Sequence, residues 1–157
     1  MTTANVVFSG PASDVRPLSR EAKVKAAQTI APGDLVEYDS GEWQVHSTEG
    51  QGGDFYIADM NVIEQKPVTE ALTAGQNHKA FVPEVGRTYN LRIGASQTIA
   101  LGTPLTSAGN GLARVALTNG TEATLFASEE VISTGVGESA RERARYLGST
   151  ISVNTTE

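Results

Sequence analysis

The segment Gln28-Thr29-Ile30-Ala31-Pro32-Gly33 returns 69 residues later as Gln97-Thr98-Ile99-Ala100-Leu101-Gly102, with five of the six positions identical. Each copy runs on in the same way. An apolar segment (Leu35-Val36; Leu105 after Pro104) leads to small residues and glycine (Asp39-Ser40-Gly41; Ser107-Ala108-Gly109-Asn110-Gly111), then to a second apolar segment (Trp43 and Val45; Leu112 and Val115). That is a strand, a turn and a strand, used twice. A duplicated hairpin unit constrains architecture more than any other feature of this chain, and we read the copies as two related corners of one β scaffold.

The intervening segments extend the β pattern. Pro32-Gly33-Asp34 is a turn, because proline presets φ at its second position and glycine accepts a positive φ at the third. Asp39-Ser40-Gly41-Glu42 closes a hairpin onto Trp43-Gln44-Val45-His46, in which Trp43 and Val45 share one face and Gln44 and His46 the other. Lys23-Val24-Lys25, Phe55-Tyr56-Ile57-Ala58, His78-Lys79-Ala80-Phe81-Val82, Thr88-Tyr89-Asn90-Leu91-Arg92-Ile93 and Ala123-Thr124-Leu125-Phe126-Ala127 read as further strands, with Arg143-Ala144-Arg145 leading into the last. Thr69-Glu70-Ala71-Leu72-Thr73-Ala74 is the best helix candidate, with threonine as its cap and Gly75 as its stop; Ser19 could also cap a short helix, although Lys23-Val24-Lys25 alternates equally well as a strand. The pattern predicts an all-β protein: a small barrel or sandwich-like domain over residues 21–157, with one short connector helix. Residues 1–20 read as an extended N-terminal arm, where Pro11 and Pro17 disfavour helix and Val6-Val7-Phe8 form a short apolar knot.

A formal charge of −6 argues against general affinity for nucleic acid phosphates. The absence of cysteine excludes disulfides, thiolate metal sites and thiol nucleophiles. No apolar run is long enough for a membrane-spanning helix and no secretion signal is evident, so the expectation is a soluble protein made in a cytoplasm.

Chemistry is sparsely represented. His46 and His78 stand on separate segments without carboxylates at metal-ligand spacing, and both read as solvent-facing strand residues. No serine sits in a nucleophile elbow. Gly109-Asn110-Gly111 and Gly135-Val136-Gly137 lack the third glycine and the strand-to-helix setting of phosphate loops, and read as turn glycines. Arg141, Arg143 and Arg145 would share one strand face. Trp43, Tyr38 and Tyr56 could offer stacking faces to a sugar or another small ligand, although they read more simply as core residues. No catalytic residue, metal ligand or cofactor site emerges, and the expectation is a protein without enzymatic activity.

Taken together, the Tyr89-Asn90-Leu91-Arg92-Ile93 strand, the unit marked by Gln97, Ile99, Gly102 and Leu105, the Ser107-Ala108-Gly109-Asn110-Gly111 turn, the alanine-rich strand from Ala123 and the Arg143-Ala144-Arg145 strand resemble a family. It is that of the head decoration, or capsid cement, proteins of tailed bacteriophages. Ala31-Pro32-Gly33-Asp34-Leu35-Val36 and Tyr56-Ile57-Ala58-Asp59-Met60 resemble its earlier turn and strand, and the likeness covers residues 23–153. The resemblance implies a structural virion protein, commonly a homotrimer, bound to the outside of the assembled capsid and bridging neighbouring major capsid protein subunits. Val6, Val7 and Phe8 are then the expected apolar capsid contacts, with Arg16 and Arg20 as polar clamps.

Overall fold

The computed structural model describes residues 18–60, 67, 69–117, 121–135 and 140–151. The chain forms fourteen strands among them and no α-helix. Five close into a first barrel: β1 (Ser19–Val24), β4 (Glu42–Val45), β3 (Leu35–Asp39), β5 (Tyr56–Ala58) and β7 (Asn77–Phe81), in that order. Five more close a second: β8 (Thr88–Ile93), β11 (Ala113–Val115), β10 (Pro104–Ser107), β12 (Ala123–Ser128) and β14 (Ala140–Ile151). The two orders match strand for strand. In both, the first of the five strands in sequence runs parallel to the third, β1 to β4 and β8 to β11, and every other neighbour is antiparallel. Each barrel also carries a two-stranded accessory sheet, β2 (Thr29–Ile30) with β6 (Leu72–Thr73) and β9 (Thr98–Ile99) with β13 (Ile132–Ser133). The repeat is therefore a duplication of a whole barrel, where the sequence pointed to corners of a single scaffold.

Each repeated residue does the same work twice. The side-chain oxygen of Gln28 accepts from Val45 N at 3.2 Å, and that of Gln97 from Val115 N at 2.9 Å. Ile30 and Ile99 are buried and pair with Leu72 and Ile132 across the accessory sheets. Gly33 and Gly102 turn the chain at φ 91° and 80° and donate to the barrel strand behind them, at Ala58 O and Ser128 O. Such φ values are open to glycine at little cost, which explains why this residue recurs.

The β3–β4 hairpin follows the sequence reading, with Ser40 and Gly41 both at positive φ as a two-residue I′-type loop requires. The connector helix does not form. Its Leu72 and Thr73 instead pair with Ile30 and Thr29 as β6, and Gly75 serves as a turn glycine at φ 82°. A segment of under two turns has too few internal hydrogen bonds to hold a helix, while the strand buries Leu72 completely.

Val24, Ile30, Val36, Trp43, Ala58, Leu72 and Ala80 fill the first barrel. A larger cluster joins the second barrel's Tyr89, Leu91, Ile93, Leu105, Leu125 and Phe126 to Leu35, Phe55, Ile57 and Phe81 of the first. This second cluster spans the seam and holds the barrels together, while the first stays inside barrel one.

Candidate interaction surfaces

The polar part of the seam between the barrels is built from the first copy of the repeated turn. Gly33 lies so close to β8 that an added Cβ would stand 2.8 Å from Asn90 O, and its carbonyl accepts from Arg92 N at 3.1 Å. Beside it the Asp34 carboxylate, almost fully buried, pairs with the Arg92 guanidinium at 2.8 Å. Burial pushes the Asp34 carboxyl up to about 6, and Arg92 opposes this only in part. Arg141 donates to Pro32 O, which caps the turn from the other side. The 31–34 turn is thus enclosed by barrel two.

His46 reaches across the same seam. Its Nε2 donates to Gly52 O at 2.8 Å, so Nδ1 is the acceptor for the Ser107 hydroxyl at 2.7 Å. This is a serine–histidine pair without access: Ser107 is fully buried, and the group behind the imidazole is a carbonyl. It works as a cross-barrel staple.

The expectation that both histidines face solvent is overturned. His46 follows β4 on the outer face that the alternation assigns to it, and there it is buried against Ser107 of barrel two. His78 points into barrel one beside Ala80, while Lys79 between them points out. That alternation, with lysine as the exposed residue, was the signal available in the sequence. Neither His78 ring nitrogen has a hydrogen-bond partner among the described residues, and burial pushes its pKa down to about 4.

Among the expected capsid contacts, Val6, Val7, Phe8 and Arg16 lie outside the described residues. Arg20 belongs to β1, where its guanidinium sits 3.5 Å from the centre of the Tyr38 ring and 3.4 Å from the Tyr56 hydroxyl. Tyr38 and Tyr56 pack edge-on against Trp43, which is fully enclosed and donates its indole N–H to His78 O. Trp43 therefore presents no stacking face, and Arg20 covers one face of Tyr38. Arg143 and Arg145 are exposed and meet Glu130 and Glu129 at 4.0 and 3.7 Å, whereas Arg141 serves the seam. Gly109 and Gly111 have positive φ and pack against Glu49 and Val45, so this loop is part of the seam. Among the described residues no three His, Asp or Glu side chains gather as a metal site.

The double barrel is similar to the head fiber gp8.5 N base of bacteriophage phi29. The likeness has a TM-score of 0.54 at 14% sequence identity and covers 85% of this chain and 98% of that chain. A match of that extent is longer than either barrel, so the shared fold includes both. The sequence matches no protein-family model and no curated protein.

An open groove of about 760 Å³ runs beside the seam, with Arg114 on its wall. Arg114 is already bidentate on Glu122, at 3.0 and 2.5 Å, and lies 3.0 Å from Glu49. Its charge is neutralised in place, and the groove offers an anion little. The more telling surface is the second copy of the turn. There Leu101 is 72% exposed and Gly102 would meet nothing within 4 Å if given a Cβ. Sequence reasoning missed this contrast because the two copies are nearly identical as strings.

Proposed function

We propose that this chain is a structural protein of a tailed-phage virion that binds the outer surface of the assembled head and stabilises it by bridging neighbouring major capsid subunits. The observation that carries the reading is the likeness of the complete double barrel to a phage head fiber base. The family resemblance in the sequence points the same way. In this reading the chain acts as a homotrimer without enzymatic activity; the burial of the Ser107 and His46 pair, which leaves it no substrate access, supports the latter.

The mechanism is mass action on assembly. A protein that binds the finished shell and not free coat subunits lowers the free energy of the shell by its own binding energy. A trimer holding several subunits gains avidity from individually weak contacts, and an N-terminal arm adds reach, with Val6, Val7 and Phe8 as anchors and Arg16 as its clamp, while Arg20 would add a contact from β1 of the barrel itself. A sugar-binding role finds no support in Trp43, which is enclosed.

Sedimentation with expanded heads that lack the protein tests the proposal. Saturable co-sedimentation at micromolar concentration is expected, with weaker binding after deletion of residues 2–17. Heads that pellet without the protein would refute it.

A further inference from the structure

The two copies of the repeated turn are built alike and end differently. Ala31 N donates to the Asp34 side chain at 2.8 Å, and Ala100 N to the Thr103 side chain at 3.0 Å. Asp34 N returns to Ala31 O as Thr103 N does to Ala100 O. Behind the turns, Ala58 N donates to Asp34 O and Ser128 N to Thr103 O. The inner halves therefore superpose bond for bond. The outer half of copy one is buried on the first strand of the next barrel, with Pro32 enclosed. In copy two the corresponding residue is Leu101, a larger apolar side chain that stands open.

The surroundings repeat the contrast. The loop after β4 reaches barrel two through Gly50 N to Ser107 O and through Glu49 to Arg114. The chain after β11 carries Leu117, which is 58% exposed. Val131, 79% exposed, follows Ser128 on the same end of the barrel. Three large apolar side chains thus mark the end of barrel two that corresponds to the docked end of barrel one.

A matching receptor surface also exists. Counting 69 residues back, Asn90 and Arg92 of β8 correspond to Glu21 and Lys23 of β1, both exposed. At the seam the turn supplies the acid, Asp34, and the receptor strand the base, Arg92. At the open end Glu129 and Glu130 directly follow Ser128, held only loosely by Arg145 and Arg143, while Lys23 and Lys79 project from the β1 and β7 side. The base is again on the receptor strand, at Lys23 beside the acidic Glu21, and the acids are Glu129 and Glu130, since Thr103 stands where Asp34 does.

We infer that the occupant of this end is a second copy of the chain: the 100–103 turn of one molecule docks on β1 of the next, head to tail, as the 31–34 turn docks on β8 within one molecule. A contact of this kind joins two different surfaces, so it closes into a ring or runs on as a filament. It rests on the homotrimer proposed above and gives that trimer its interface, with Leu101, Leu117 and Val131 buried and Lys23 beside Glu129 and Glu130.

The test uses the full chain and a short bis-maleimide, since there is no native cysteine. Thr103→Cys and Lys23→Cys mark the positions corresponding to Asp34 and Arg92. Each single variant alone should give no cross-linked dimer, their mixture should give one, and the double variant should stop at a covalent trimer. Leu101→Asp should weaken self-association about tenfold or more in sedimentation equilibrium, the loss expected for one buried leucine. Val85→Asp, the same change at another exposed site, should leave the mass unchanged. Dimers from either single variant alone, or an oligomer indifferent to Leu101→Asp, would overturn the contact. Loss of head binding by Leu101→Asp with no change in mass would also overturn it, by placing the coat protein there. A head-binding protein that stays monomeric on and off heads refutes the contact and leaves the capsid role standing. A covalent trimer that ignores heads does the reverse.

Discussion

At one position of the last barrel strand, barrel one buries a histidine and barrel two a glutamate. His78 lies opposite Ala22 of β1, and Glu142 lies opposite Leu91 of β8, so the two occupy the same place in the duplicated fold. Two residues on, both barrels have a fully buried alanine, Ala80 and Ala144. Neither ionisable group is fully satisfied: the His78 nitrogens and Glu142 Oε2 have no partner among the described residues, although the Ser128 hydroxyl donates to Glu142 Oε1. Burial, helped by Glu130, pushes Glu142 up to about 7, while burial alone drives His78 down to about 4. Duplicated topology has kept the backbone and let the interior charge state diverge. A barrel wall fixes which positions point inward but not which neutral group fills them.

The largest expected effect separates the two cores. Trp43 is the biggest side chain inside barrel one, and Trp43→Ala should cost about 3 to 5 kcal/mol in urea unfolding. Amide exchange should show whether β8 to β14 loosen with it. Uniform loss of protection across both barrels would mean that the shared cluster of Leu35, Phe55, Ile57 and Phe81 couples them into one cooperative unit.

The pH response should break the symmetry in opposite directions. A depressed histidine pKa gives stability that is complete above about 6.5 and is lost as pH falls toward 4. Relative to His78→Leu, the wild-type chain should therefore lose about 3 kcal/mol over that window. A raised carboxylate pKa gives stability present below 4.5 and lost as pH rises through about 7. Relative to Glu142→Gln, the wild-type chain should gain a similar amount on acidification from pH 7 to 4.5. Asp34, also raised, shifts in the second sense and cancels from both differences. Difference curves of the same slope would refute the assignment.

The smallest effect is the most pointed comparison. Gly33→Ala places a Cβ against Asn90 O at a positive φ and should cost about 3 kcal/mol, whereas Gly102→Ala carries only the positive-φ cost of about 1 to 2 kcal/mol. Equal thermal shifts in the two variants would mean that the seam is looser than its geometry.

Much of the local structure was legible because strand alternation and turn chemistry act over a few residues. The Asp39-Ser40-Gly41-Glu42 hairpin and the buried face of Tyr89, Leu91 and Ile93 follow from that. The segment 69–74 misled because its cap and stop are real turn signals and only the partner strand β2 decides its state. The two histidines misled for a related reason: exposure of a strand face depends on what packs over it.

That one turn would be made twice was already written in the repeated residues. Gln28 and Gln97, Ile30 and Ile99, and Gly33 and Gly102 hold that geometry through contacts inside each copy. That one copy is buried and the other open follows from long-range packing alone. A turn's conformation is fixed by its own φ angles and hydrogen bonds, while its environment depends on what distant parts of the chain pack against it. Against the 31–34 turn the fold packs β8, whereas among the described residues nothing lies within 4 Å of a Cβ at Gly102 and Leu101 stands exposed.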